Sequence, residues 1–170
     1  MNTESLYQLK QLRFYYSPDT VALSLDELSI PEGKTTALMG ENGSGKSTLL
    51  NILAFLAPID QGSIFYKKCK VEFKHYNSYR RRIGFLAQKP FMLRGTVYDN
   101  LNYALKVQGK KQRRESIQQV LRQLDITYCA EKQAKLLSGG ELQKAALARL
   151  LVLKPEVLLL DEPFSYLDQH

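Results

Sequence analysis

The sequence has no tryptophan, and only two cysteines and two histidines among 170 residues. Cys69 and Cys129 are too few for a disulfide framework and have no metal-ligand spacing. They are expected to be reduced, ordinary residues of a cytosolic protein. No apolar run approaches the ~18 residues that cross a bilayer. The opening stretch MNTESLYQLKQ lacks the charged-then-apolar shape of a signal peptide. Glycine (10) and proline (6) are not in excess, and there is no low-complexity tract or internal repeat. Within these residues nothing therefore points to a disulfide scaffold, a membrane-spanning helix or a low-complexity tract.

What is present suits one globular domain over residues 1–170, with 44% hydrophobic and 24% charged residues. The net charge is +7, which permits anionic partners such as nucleic acid, lipid or nucleotide phosphates. The basic runs Arg80–Arg82 and Lys110, Lys111, Arg113, Arg114 read as solvated faces.

Thr35 to Met39 is a short β-leaning run, hence a predicted strand, followed by a glycine-rich turn from Gly40 to Gly45. From Lys46 the pattern is helical until Pro58. GSIFYKKCKVEF reads as one or two strands near an edge, and RRIGFLAQKP as a strand stopped by Pro90. TVYDNLNYALKV and ESIQQVLRQLDI have helical spacing, so residues of approximately 90–135 form a helical stretch inserted between strands. Ser138 to Glu141 fits a capping box, with Ser138 as N-cap and Glu141 reaching back. VLLLD reads as a strand buried on both faces. Strands alternating with helices predict an α/β fold with a mostly parallel sheet.

Two patterns carry chemistry. Gly40-x-x-x-x-Gly45-Lys46-Ser47 fits a P-loop. Backbone N–H groups from Gly40, Glu41, Asn42, Gly43, Ser44 and Gly45 through Thr48 would wrap phosphate oxygens, and the following helix adds its positive end. Lys46 would reach the β- and γ-phosphates, and the Ser47 hydroxyl would take a Mg²⁺ position. At the end of the VLLL strand, Asp161 would hold Mg²⁺ through water, and Glu162 would polarise the attacking water as general base.

The ordered set Leu137-Ser138-Gly139-Gly140-Glu141, a helix, then a strand ending Asp161-Glu162-Pro163 resembles the ATP-binding cassette (ABC) family, over nearly the whole chain. Physically, Ser138, Gly139 and Gly140 place a hydroxyl, free N–H groups and a helix N-terminus together, which makes a second anion site. Two phosphate cradles serve one ATP only if brought together. The resemblance implies how: two cassettes pair head to tail, as a homodimer or mixed pair, each ATP lying between one P-loop and the partner's signature. It further implies a RecA-like core with an antiparallel β subdomain and an inserted helical subdomain.

Other roles follow from the resemblance residue by residue. Gln88 matches the family glutamine that contacts Mg²⁺ or the lytic water. Ser165 to Asp168 resembles the loop that crosses to the partner cassette, and Phe164 stands where Thr is commoner. Tyr16, with Tyr15 as rival, resembles the aromatic that stacks on adenine. The family's switch histidine has no counterpart: His170 falls too early after Glu162, and His75 lies far upstream. The chain therefore reads as a cassette lacking C-terminal strand(s), expected to bind ATP weakly and to turn it over hardly at all, while the parent is an active ATPase.

The resemblance implies the ATPase subunit of a transporter: cytoplasmic, peripheral on the inner face of the membrane, paired with a separate permease and a solute-binding protein. Phe91, Met92 and Leu93 would line a groove for the permease. QKPFMLRGTVYDNLNYAL is most similar to oxyanion importers, the tungstate type among them. The rival reading is a soluble ABC ATPase acting on DNA or ribosomes. No nucleic acid is expected, since neither a coiled-coil insertion nor a zinc pattern is present.

Overall fold

The structure, a computed structural model, describes residues 4–111 and 113–163. It divides into two compact units, Met1–Arg82 and Ile83–His170.

The first unit is built on an antiparallel sheet of order β2-β1-β3-β4, comprising β1 (Ser5–Ser17), β2 (Thr20–Pro31), β3 (Gln61–Tyr66) and β4 (Cys69–Lys70). A tight turn at Pro18 and Asp19 joins β1 to β2, closing at the Ser17–Thr20 pair. Strict alternation buries Tyr7 and Leu9, but the next buried residue is Leu12. The phase slips at Gln11, whose φ of 48° marks a bulge where the β1–β3 register shifts. Gly62 answers that bulge: a Cβ there would lie 2.4 Å from the Gln11 carbonyl oxygen. Lys67 and Lys68, at φ 47° and 66°, turn β3 into the short exposed β4, the geometry of a tight hairpin turn.

Helix α1 (Lys46–Leu53) and the five-residue α2 (Tyr76–Arg80) complete this unit. Ile52, Leu53 and Phe55 of the α1 region are buried, and the Tyr7 hydroxyl donates to the Leu53 carbonyl at 3.0 Å. Phe55 sits among the rings of Tyr7, Tyr66, Tyr76 and Tyr79. Such ring pairs add about 0.5–1.5 kcal/mol each beyond simple area burial. Burial, with Tyr66 nearby, pushes the Tyr7 phenol well above its ordinary value.

The predicted strand at Thr35–Met39 is absent. These residues are exposed, Met39 to 89% of its surface, and pair with no strand of either sheet. β-propensity supplies no ladder partner, and without one the segment stays irregular. His75 lies in a 3-10 turn (Phe73–His75).

The second unit holds a parallel pair, β5 (Ile83–Leu86) and β6 (Val157–Leu160), in register Ile83 with Val157 through Leu86 with Leu160. Between them run α3 (Val97–Val107), α4 (Arg113–Gln123) and α5 (Gly139–Leu151). Val97, Leu101 and Leu105 of α3, Ile117 and Leu121 of α4, and Ala145, Ala148 and Val152 at α5 form its core with Ile126 and Cys129. Each large aliphatic side chain so buried contributes roughly 1.5–3 kcal/mol. Thr96 caps α3 with a full capping box to Asp99. Buried Asn100 accepts from the Leu93 N–H and donates to the carbonyls of Leu93 and Thr96, fixing the turn before α3. β6 is only half-buried apart from Leu159, less covered than its apolar run predicts. Among the described residues no helix is long and apolar enough to cross a membrane.

Candidate functional site

In the first unit, the Gly40–Gly45 turn leads directly into α1. Gly45 is the N-cap at φ 88°, with no side-chain cap, and no acid lies in the first turn. A Cβ at Gly45 would stand 3.1 Å from the Ala22 carbonyl oxygen, so the left-handed conformation and the close approach to β2 both call for glycine. The first intrahelical bond runs from the Leu49 N–H to the Gly45 carbonyl. The amides before it are the donors that every helix start leaves over. They point at the loop with the positive end of the helix behind them, which suits an anion. Lys46 folds back across the loop and donates to the carbonyls of Gly40 (2.8 Å) and Glu41 (2.6 Å). Its ammonium thus stands over the cradle, within reach of any phosphate seated there.

Glu41, Asn42, Gly43 and Ser44 are exposed, as is Ser47. Thr48 is buried, and its hydroxyl shares a 2.7 Å hydrogen bond with that of Tyr16. That bond tethers Tyr16 to the first turn of α1, while the residue stays 71% exposed and its ring meets the Phe14 ring edge-on, centroids 5.4 Å apart. Tyr15 is half-buried, and its backbone N–H donates to Asp60.

In the second unit, β6 ends by handing the Asp161 N–H to the Leu86 carbonyl at 2.9 Å, extending the parallel ladder one step. Asp161 is buried, at 7% exposure. Glu162 follows in a left-handed conformation, φ 47°, which turns its exposed carboxylate to Gln88, whose amide donates to it at 2.5 Å. A non-glycine residue held there stores about 1–3 kcal/mol of strain. Gln143 of α5, 3% exposed, donates to the Glu162 carbonyl at 3.4 Å, while among the described residues its own Oε1 is buried without a partner. Thus Gln88, Asp161, Glu162 and the signature helix are gathered in one place.

At the start of α5 the predicted capping box is complete. Ser138 Oγ accepts from the Glu141 N–H, and the Glu141 carboxylate accepts from the Ser138 N–H at 2.8 Å. Lys132 grips both Glu141 oxygens, at 2.8 and 3.1 Å, and the Cys129 thiol donates to Oε1 at 3.5 Å. Lys132 and the Ser138 amide hold the Glu141 carboxyl down at about 2. Gly139 and Gly140 start the helix with amides that no side-chain cap occupies.

Among the described residues no three His, Cys, Asp or Glu side chains cluster to hold a metal. In the second unit, the candidate donors Gln88 and Asp161 offer one carboxylate and a neutral amide oxygen, hard oxygens of the kind Mg²⁺ takes. Phe164, Ser165 to Asp168 and His170 lie outside the described residues.

Sequence reasoning did not single out Gln143 or Lys132. Gln143 had a signal, a lone amide on the apolar stripe that buries Ala145, Ala146 and Ala148. Lys132 had none, since an isolated lysine before a signature looks like any surface cation.

Residues 23–165 match the family model described as ABC transporter. The chain is 36% identical over 162 residues to the tungstate uptake system ATP-binding protein TupC of Peptoclostridium acidaminophilum, covering 94% of this chain and 73% of that protein. It is 41% identical over 157 residues to the sulfate/thiosulfate import ATP-binding protein CysA of Halalkalibacterium halodurans, covering 86% of this chain but 43% of that protein. The chain thus spans less than half the length of that sulfate relative. Among solved structures, cbiO1 from Clostridium perfringens, described as part of the ABC transporter complex cbiONQ, superposes with a TM-score of 0.84 at 28% identity, covering 95% of this chain and 67% of that one. The dimeric structure of the bacterial ABC transporter cassette MJ0796 does so with a TM-score of 0.85 at 29% identity, covering 95% and 76%.

Proposed function

Because the chain belongs to the ABC transporter family of ATP-binding domains, we propose that it is the ATP-hydrolysing part of an importer that works through a separate membrane permease. The carrying observation is the Glu162 carboxylate, held by the Gln88 amide at the carboxyl ends of β5 and β6 beside buried Asp161. A carboxylate so oriented can accept a proton from water, the role of a general base in hydrolysis. The loop Gly40–Thr48 binds the phosphates of ATP, with Lys46 as their cation, and the exposed Tyr16 ring stacks on adenine. Ser47, Asp161 and Gln88 would hold Mg²⁺, which when bound neutralises phosphate charge. Ser138, Gly139 and Gly140 contact the ATP of a second cassette paired head to tail. In this reading Gln88 is well placed to report on the permease, since it leads through Lys89 into Pro90.

A cavity of about 490 Å³ lined by Phe91, Met92, Leu93, Ala134, Lys135 and Leu142 supports a permease contact. Phe91 is 68% exposed and lies under the Arg149 guanidinium at 5.3 Å. A short amphipathic helix from the permease would cover this apolar floor. The cargo is an oxyanion delivered by a solute-binding protein, and the protein sits peripherally on the inner face of the cell membrane.

The test is turnover by the protein assembled with its permease. Glu162→Gln is expected to lower ATP hydrolysis about 10²–10⁴-fold while leaving ATP affinity unchanged. Hydrolysis at the parental rate in that variant would remove Glu162 as the base.

A further inference from the structure

We propose that Lys132 is a positioning residue for the second phosphate site, cancelling the charge of Glu141 so that the start of α5 can receive an anion. The inference rests on the proposed pairing of two cassettes and deepens it. A glutamate in the first turn suits the helix itself, because it satisfies the Ser138 N–H and lies in the positive end of the dipole. For a phosphate arriving at the same amides it is an obstacle. Its carboxylate puts a negative charge one helical turn or less from the landing point.

Lys132 answers this in three ways. Its ammonium contacts both oxygens, at 2.8 and 3.1 Å, so the carboxylate is neutralised as a whole. Glu141 is mostly covered, its side chain only 15% exposed, so solvent does little of that work. The lysine's backbone is also fixed: the Lys132 backbone N–H donates to the Cys129 carbonyl at 2.9 Å and its backbone carbonyl accepts from the Val97 N–H at 3.1 Å. Val97 opens α3 and Cys129 is a core residue, both fully buried. The helical part of this unit therefore fixes the counter-charge of the signature.

The experiment measures self-association with a non-hydrolysable ATP analogue by analytical ultracentrifugation, and nucleotide binding to the unpaired protein by calorimetry. Lys132→Met is expected to weaken nucleotide-driven pairing about tenfold or more, with binding to the unpaired protein unchanged. Glu141→Gln, which retains an acceptor for the Ser138 N–H, is expected to pair as well as the parent or better. The double variant is expected to recover parental pairing to within about threefold. Opposite signs for the two single variants and rescue in the double separate charge compensation from a merely structural ion pair, whose loss from either side would weaken pairing alike. Unchanged pairing in Lys132→Met, or no rescue in the double variant, overturns the inference and leaves the proposed function standing. A parental protein that binds nucleotide and never pairs overturns both.

Discussion

The starts of α1 and α5 are the same kind of object finished in opposite ways. At α1 the cap is a glycine in the left-handed region, with no side-chain acceptor and no acid in the first turn. At α5 a serine and a glutamate close a complete box, and a lysine closes the glutamate. The first helix leaves its leading amides for something that is not protein. The second has largely satisfied itself and keeps only the amides of two glycines for a visitor. In the proposed reading one end is completed by binding, while the other is built beforehand.

The largest expected effect comes from the open end. Lys46→Ala removes the cation above the cradle and is expected to lower ATP affinity about 10–100-fold, read by calorimetry, with little change in thermal midpoint. Parental affinity in that variant would break the comparison at its root. Gly45→Ala forces a Cβ into φ 88° and to 3.1 Å from the Ala22 carbonyl; the expected loss is about 1–2 kcal/mol of stability by chemical denaturation. The closed end responds differently. Ser138→Ala deletes a cap and is expected to cost about 1 kcal/mol in the same measurement, without altering nucleotide binding to the unpaired protein.

The smallest effect sharpens the comparison through pH. Lys132 first, and the Ser138 amide next, lower the Glu141 carboxyl from its ordinary 4.5 to about 2. A group depressed on folding contributes its stability above the unfolded value and loses it as pH falls through the folded one. The advantage of the parent over Glu141→Gln is therefore expected to be flat near neutrality and to shrink between pH 4.5 and 2, in acid denaturation curves. No such dependence is expected at α1, whose first turn carries no acid.

What could be read from the sequence was what short-range chemistry decides. The capping box from Ser138 to Glu141 was legible because four consecutive residues carry the whole device. The glycine turn before Lys46 was legible because its conformations admit little else. Thr35–Met39 misled because a strand needs a neighbour, and propensity does not supply one. The β1–β2 hairpin went unassigned because the bulge at Gln11 interrupts alternation where a period of two would be counted. Lys132 was invisible because its importance depends on a carboxylate nine residues away that only folding brings against it.

Among the described residues, Gln143 Oε1 is buried with no donor. A buried acceptor without a donor costs about 1–3 kcal/mol, so a methionine of similar length would make a tighter, sturdier interior. The amide instead fastens the backbone of the residue that faces water to the rod behind the signature. Rigidity at that bend and comfort in the surrounding hydrocarbon are therefore in direct competition, and thermostabilising this protein by greasing its core at position 143 is expected to loosen the turn that carries the proposed base.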